Sequence, residues 1–190
     1  MLNTFLQKKY LVPVLFGTVA LGGGIILLTS IAGSFITEAT QDVQIEIATT
    51  TRAVVEEKAP SFVLSTLNEK RVALEEYQGK PLVIVFWSSW NTASTDQLSL
   101  LDQIPTEKYP DVQFVAINVQ EDKSIVANFI GRSGYRTEIL LDETGKVAES
   151  YRAFSIPATY FIDRAGYIRS IAFGVLSEEM LLRDIESVIQ

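Results

Sequence analysis

The sequence predicts an α/β domain: a central mixed sheet flanked by helices, with an N-terminal β-hairpin, preceded by one transmembrane helix. Three observations predict it. Residues 10–36 carry no charge, and about 27 residues at 1.5 Å each span roughly 40 Å as a helix, enough for a bilayer core. Leu82-Val83-Ile84-Val85-Phe86-Trp87 is a continuous β-branched and aromatic run, the pattern of a strand buried on both faces. From that run onward strands alternate with helices. Two strands around a glycine turn and a last amphipathic helix then close the chain.

Lys8 and Lys9 precede the uncharged run, and Glu38 and Asp42 follow it. The positive-inside bias then puts residues 1–9 in the cytoplasm, makes 10–36 a single-pass anchor in the cytoplasmic membrane, and leaves the rest extracytoplasmic. A cleaved signal peptide is the rival, with Ser30-Ile31-Ala32 as a small-x-small site. The apolar run is longer than a signal h-region and continues through Phe35 and Ile36, which favours the anchor. Residues 37–59 are rich in Thr, Glu and small side chains and read as a polar tether, although Val43, Ile45 and Ile47 alternate as a short strand would.

The remaining span, residues 60–190, holds the folded domain. Short apolar stretches at 61–65 and 71–74 flank the polar turn Leu67-Asn68-Glu69-Lys70, giving a hairpin over one sheet edge. After a polar segment at 75–80, Pro81 introduces the central strand. Beyond Asn91, Leu98, Leu101 and Ile104 recur at helical spacing and stop at Pro105, with Asn91 or a neighbour at the N-cap. Residues 112–119 read as strand, 124–132 as helix and 138–141 as a short strand. Residues 159–162 and 167–173 flank Asp163-Arg164-Ala165-Gly166 as an antiparallel pair. Ser177 caps a final helix with Glu178 and Glu179 at its positive dipole end and Leu181, Leu182, Ile185, Val188 and Ile189 as its buried stripe.

Composition excludes several chemistries. The chain has no Cys and no His. It therefore forms no disulfide, offers no thiolate or imidazole set to a metal, builds no Ser-His triad, and performs no thiol catalysis alone. With two of the 16 basic residues before Glu38, 14 face 23 acidic residues beyond it, which argues against nucleic acid. The pairs Glu56-Glu57, Glu75-Glu76 and Glu178-Glu179 are sequence neighbours that project apart, so no metal site is expected, and no cofactor.

The strand and helix order approaches the thioredoxin plan, and particular residues extend the likeness. Ala59-Pro60-Ser61-Phe62, Gly79-Lys80-Pro81, Phe86-Trp87-Ser88-Ser89-Trp90, Leu141-Asp142 with Gly145, and residues 156–163 (Ile-Pro-Ala-Thr-Tyr-Phe-Ile-Asp) with Gly166 follow in order. In this order they resemble the membrane-anchored, extracytoplasmic thioredoxin-like proteins of the TlpA and ResA type, within the redoxin group. The resemblance covers about 59–189. It implies that Pro157 is a cis-proline beside the active site, and that a Cys-x-x-Cys pair should follow Trp90. Asn91-Thr92-Ala93-Ser94 stands there instead, and Gln97 occupies the position of the family's acid.

Ser94 and Thr92 lack a base to activate them; Asp96 lies in the first helical turn. Asn91 reads as a helix cap, with the sharper alternative that this N-terminus still attracts a polar partner group. Trp87, Phe129 and Tyr135 read as packing. The binding candidates are Trp90, Asn91, Ser94, Ile156 and Pro157, lining a groove for an extended extracytoplasmic protein or peptide. The residues point away from an enzyme and toward a tethered, non-catalytic peptide-binding or scaffold module without redox cysteines. The resemblance alone implies the alternative, a thiol-disulfide oxidoreductase of the cytochrome c maturation type, working if a partner supplies both thiols. A structural membrane subunit is a second alternative.

Overall fold

The computed structural model describes residues 56–190. The anchor expected at 10–36 and nearly all of the tether lie outside them; among the described residues no helix is long and apolar enough to cross a membrane. In chain order the elements are β1 (Glu57–Lys58), β2 (Val63–Thr66), β3 (Arg71–Ala73), β4 (Leu82–Trp87), α1 (Thr92–Asp102), β5 (Gln113–Val119), α2 (Lys123–Ser133), β6 (Glu138–Asp142), α3 (Lys146–Ser150), β7 (Ala158–Ile162), β8 (Tyr167–Phe173) and α4 (Glu178–Ile189). They form one mixed sheet in the order β1-β8-β7-β4-β5-β6-β2-β3. Strands β4, β5 and β6 run parallel, and every other neighbouring pair is antiparallel.

All six residues of β4 are buried, as its unbroken apolar run requires. Alternation along a strand sends successive side chains to opposite faces, so this one strand feeds two cores. Val83, Val85 and Trp87 face α1, α2 and α4, meeting Leu98, Leu101, Val126, Leu181, Ile185 and Val188. Leu82, Ile84 and Phe86 face the other way, toward Phe62, Val72, Tyr77, Ala148, Tyr151 and Tyr160. Phe86, Tyr151 and Tyr160 form an aromatic triangle with ring centroids 5.2–5.4 Å apart. Aromatic edges and faces prefer such separations.

The hairpin β2–β3 and the antiparallel pair β7–β8 stand where the pattern puts them, the latter around Gly166 at φ 85. Ser177 caps α4 by accepting the Met180 N–H at 3.3 Å, and Leu181, Ile185 and Val188 are buried beneath it. Three features differ from expectation. Strand β1 falls inside the stretch read as tether: it pairs with β8, and Ala59 N–H donates to Gly166 O at 2.9 Å. The polar segment 75–80 overlaps a one-turn 3-10 helix, Leu74–Tyr77, that buries Tyr77; its hydroxyl donates to Glu138 at 2.8 Å. Helix α3, too short for a periodic signal, is held by Asp142, which accepts the Ala148 N–H at 2.8 Å. It starts at Gly145, φ 73, where a Cβ would lie 2.8 Å from Gln120 Nε2.

The buried tyrosines link this core to alkaline pH. Burial pushes the Tyr160 phenol up to about 12, and raises Tyr151 and Tyr77 as well, the last aided by its bond to Glu138. The unfolded chain therefore ionises these groups first, so their stabilisation is intact below pH 10 and falls as pH rises toward 12. Tyr160 also donates to Tyr151 O at 2.6 Å. Tyr160→Phe should cost about 1 kcal/mol near neutral pH and flatten the alkaline loss; urea unfolding across pH 8–12 reads both, and an unchanged alkaline slope refutes the link. Phe86→Ala should cost about 3–5 kcal/mol by the same measurement.

Candidate functional site

The parallel strands deliver their C-terminal ends to one edge of the sheet, where an α/β fold collects its functional loops. The turn from β4 into α1 is fastened there by polar contacts. Ser88 Oγ donates to Val119 O at 3.1 Å. Glu121, buried, accepts the Ser89 N–H at 2.6 Å, the Ser89 hydroxyl, and the Asn118 amide at 2.7 Å. The sequence reading missed Glu121. Its signal was an acid three residues after a buried Asn at the end of a strand, which composition alone does not distinguish from solvated charge.

Asn91 connects two elements. Its Oδ1 accepts the Ser94 N–H at 3.1 Å, so it caps α1 as expected. Its Nδ2 donates to Ile156 O at 3.2 Å, tying the helix N-terminus to the loop before β7. The Ile156–Pro157 bond is cis, as the resemblance implies. The loop is fixed from the other side by Gly174 N–H donating to Pro157 O at 2.8 Å.

The remaining candidates separate by exposure. Trp90 is 71% exposed and Ile156 half-buried, whereas Pro157 is buried and lines no open groove. Ser94 is fully buried under α1 and lines no open groove, because it lies one helical turn in, on the core side. Gln97 is also buried, and its Oε1 accepts the Leu176 N–H at 2.7 Å. It braces the segment before α4, and its amide does not titrate. Trp87 packs in the core, 5.5 Å from Phe129, which in turn lies 6.2 Å from Tyr135. Two further exposed apolar residues escaped the sequence reading: Phe154 at 80% and Val175 at 48%. Both lie within two residues of the cis-proline contacts. An isolated apolar residue in a loop carries no period that would single it out.

Among the described residues no group of His, Cys, Asp or Glu is arranged to hold a metal ion. The site supplies the partial positive charge of an 11-residue helix's first turn, next to the exposed Trp90. It can stabilise an anion, a thiolate included. The two roles of Asn91 are separable. Asn91→Asp keeps the acceptor for Ser94 and loses the donor to Ile156, whereas Asn91→Ala loses both. The alanine variant should be about 1 kcal/mol less stable than the aspartate variant, while amide exchange at Ser155 and Ile156 quickens in both. Unchanged exchange there would show that the Ile156 contact does not hold the loop.

Residues 55–171 match the AhpC/TSA family. Over 139 residues the chain is 30% identical to the thiol-disulfide oxidoreductase ResA of Geobacillus kaustophilus, spanning 73% of this chain and 80% of that protein. It is 31% identical over 124 residues to ResA of Bacillus subtilis, 65% and 69% of the respective chains. The crystal structure of StoA from Bacillus subtilis superposes with a TM-score of 0.58 at 21% identity, covering 66% of this chain and 96% of that one. A thioredoxin-family thiol:disulfide interchange protein of Chlorobium tepidum gives 0.63 at 19%, covering 73% and 99%. These likenesses establish the thioredoxin-like fold. The relatives overturn the expectation of a non-catalytic binding or scaffold module, since they are named thiol-disulfide oxidoreductases. Absence of cysteine from one chain does not by itself make a site redox-inactive, because the sulfurs of an exchange can reside on the molecules it holds. The chain belongs to the AhpC/TSA family and is a relative of the ResA-type thiol-disulfide oxidoreductases, with Asn91 and Ser94 standing where the Cys-x-x-Cys pair would be.

Proposed function

We propose that this protein serves thiol-disulfide exchange, as its ResA relatives do by name, with the sulfur atoms supplied by polypeptides that meet at its cleft. The observation that carries this is the bond from Asn91 Nδ2 to Ile156 O, which holds the helix N-terminus against the cis-proline loop without a thiol. A donor thiolate attacks one sulfur of an acceptor disulfide. A new S–S bond forms as the old one breaks, and the displaced sulfur leaves as a thiolate. The donor's second thiolate then attacks the mixed disulfide. Two electrons and two protons pass from dithiol to disulfide. The chain's part is to seat the acceptor on the apolar rim of Trp90 and Phe154, and to place the thiolate near the N–H groups of Thr92 and Ala93. Gln97 takes no proton, so the donor's proton goes to solvent.

The uncharged run at 10–36 behind Lys8 and Lys9 supports an anchored, extracytoplasmic domain, on the side where disulfides in partner polypeptides persist. The test uses the full chain in lipid nanodiscs, dithiothreitol as donor and a disulfide-bonded apolar peptide as acceptor. The chain should accelerate exchange over the same pair alone, prior treatment with iodoacetamide should leave the acceleration unchanged, and Trp90→Ala should reduce it about tenfold. The rate should climb with pH only as the donor's own thiol ionises. No acceleration over the uncatalysed pair refutes the proposal.

A further inference from the structure

At the end of the sheet where β4 begins, away from Asn91, lies an open concavity of about 190 Å³. Its floor is apolar: Ala59, Tyr77, Leu82 and Ile162 are buried there, with Leu74 beside them. Its rim is charged. Arg164 is engaged by Asp111 at 3.1 Å. Asp163 is engaged by Arg169 at 2.7 Å and by the N–H groups of Ala165 and Tyr167. Glu75 accepts the Ser61 hydroxyl at 3.1 Å. That leaves the side chains of Lys58 and Lys80, both exposed, whose ammonium groups have no hydrogen-bond or ion-pair partner among the described residues. Two free ammonium groups against one carboxylate make a positive mouth over an apolar floor, on a chain whose net charge is −7.

The geometry points to a binding site for a small anionic amphiphile, a short apolar body ending in a carboxylate or phosphate, with its head between Lys58 and Lys80. The volume is below the roughly 300–1,000 Å³ of sites for larger ligands, so the body is short. A cation would meet like charge, and a purely apolar ligand would leave the lysines without a role. Five strand steps of about 3.3 Å separate Leu82 from Trp87, so the site lies roughly 17 Å from the cleft. Occupancy leaves the cleft open, and the inference is independent of the exchange reaction. A soluble short-chain acid and the head of an anionic lipid share this chemistry.

The test places the full chain in nanodiscs of zwitterionic lipid and titrates hexanoate and hexyl phosphate, following the amide resonances of Ala59 and Gly166. Both anions should give saturable shifts, with hexanol and hexylammonium weaker by about tenfold or more. Replacing Lys58→Met together with Lys80→Met should weaken the anions about tenfold, while Lys58→Arg with Lys80→Arg retains them and the unfolding midpoint stays constant in both. Exchanging part of the lipid for phosphatidylglycerol identifies the source. Shifts that arise without soluble ligand and are competed by hexyl phosphate assign a lipid head; unmoved resonances that still answer hexanoate assign a soluble acid. No saturable shift with either anion, or equal shifts with hexanol, overturns the site.

Discussion

Strand β4 is the constraint from which the rest follows. Six residues buried on both faces cannot be satisfied by one layer, so the fold must supply cover on each side of the sheet. Helices α1, α2 and α4 meet one face, and the tyrosine-rich layer with α3 meets the other. Because β4 pairs along its length with β5 and β7, its backbone groups are spent on the ladder and its position is rigid. That rigidity reaches its C-terminal end, where Ser88, Ser89, Trp90 and Asn91 leave the sheet.

Carboxylates do much of the loop fastening. Asp102, at the end of α1, accepts the N–H groups of Arg136 and Thr137 and the Thr137 hydroxyl at 2.7–2.9 Å. Asp142 holds α3, Asp163 closes the β7–β8 turn, and Glu121 ties down the turn after β4. Each satisfies donors that a buried or tightly turned backbone would otherwise leave unpaired. A composition rich in acid is therefore partly architecture, and acidic residues that look like solvated surface in the sequence are internal fasteners in space.

At this site, the residues that stand in for a reactive pair and its acid have taken structural roles. Asn91 caps a helix and braces a loop, Ser94 is sealed in the core, and Gln97 supports the segment before α4. On the reading proposed above, the chemistry at this site rests on what binds there. Its own contribution is geometry, a helix dipole and an apolar rim.

The long, strongly patterned elements were legible in the sequence: the all-apolar β4, the stripe of α4, the two hairpins, and Asn91 and Ser177 as caps. Each is a local property, set by side-chain periodicity or by a single backbone contact within one turn. The order of motifs around Trp87, Asp142 and Pro157 carried the family. Three features depended on tertiary structure: the pairing of β1 with β8, the clamp of Glu121 on Ser89, and the contact between Asn91 and Ile156, 65 residues apart. These join segments distant in sequence, and nothing in the local pattern of either partner specifies the other. The same reason explains why Ser94 reads as a groove residue in one dimension and is core in three: which face of α1 meets the sheet is decided by packing against β4.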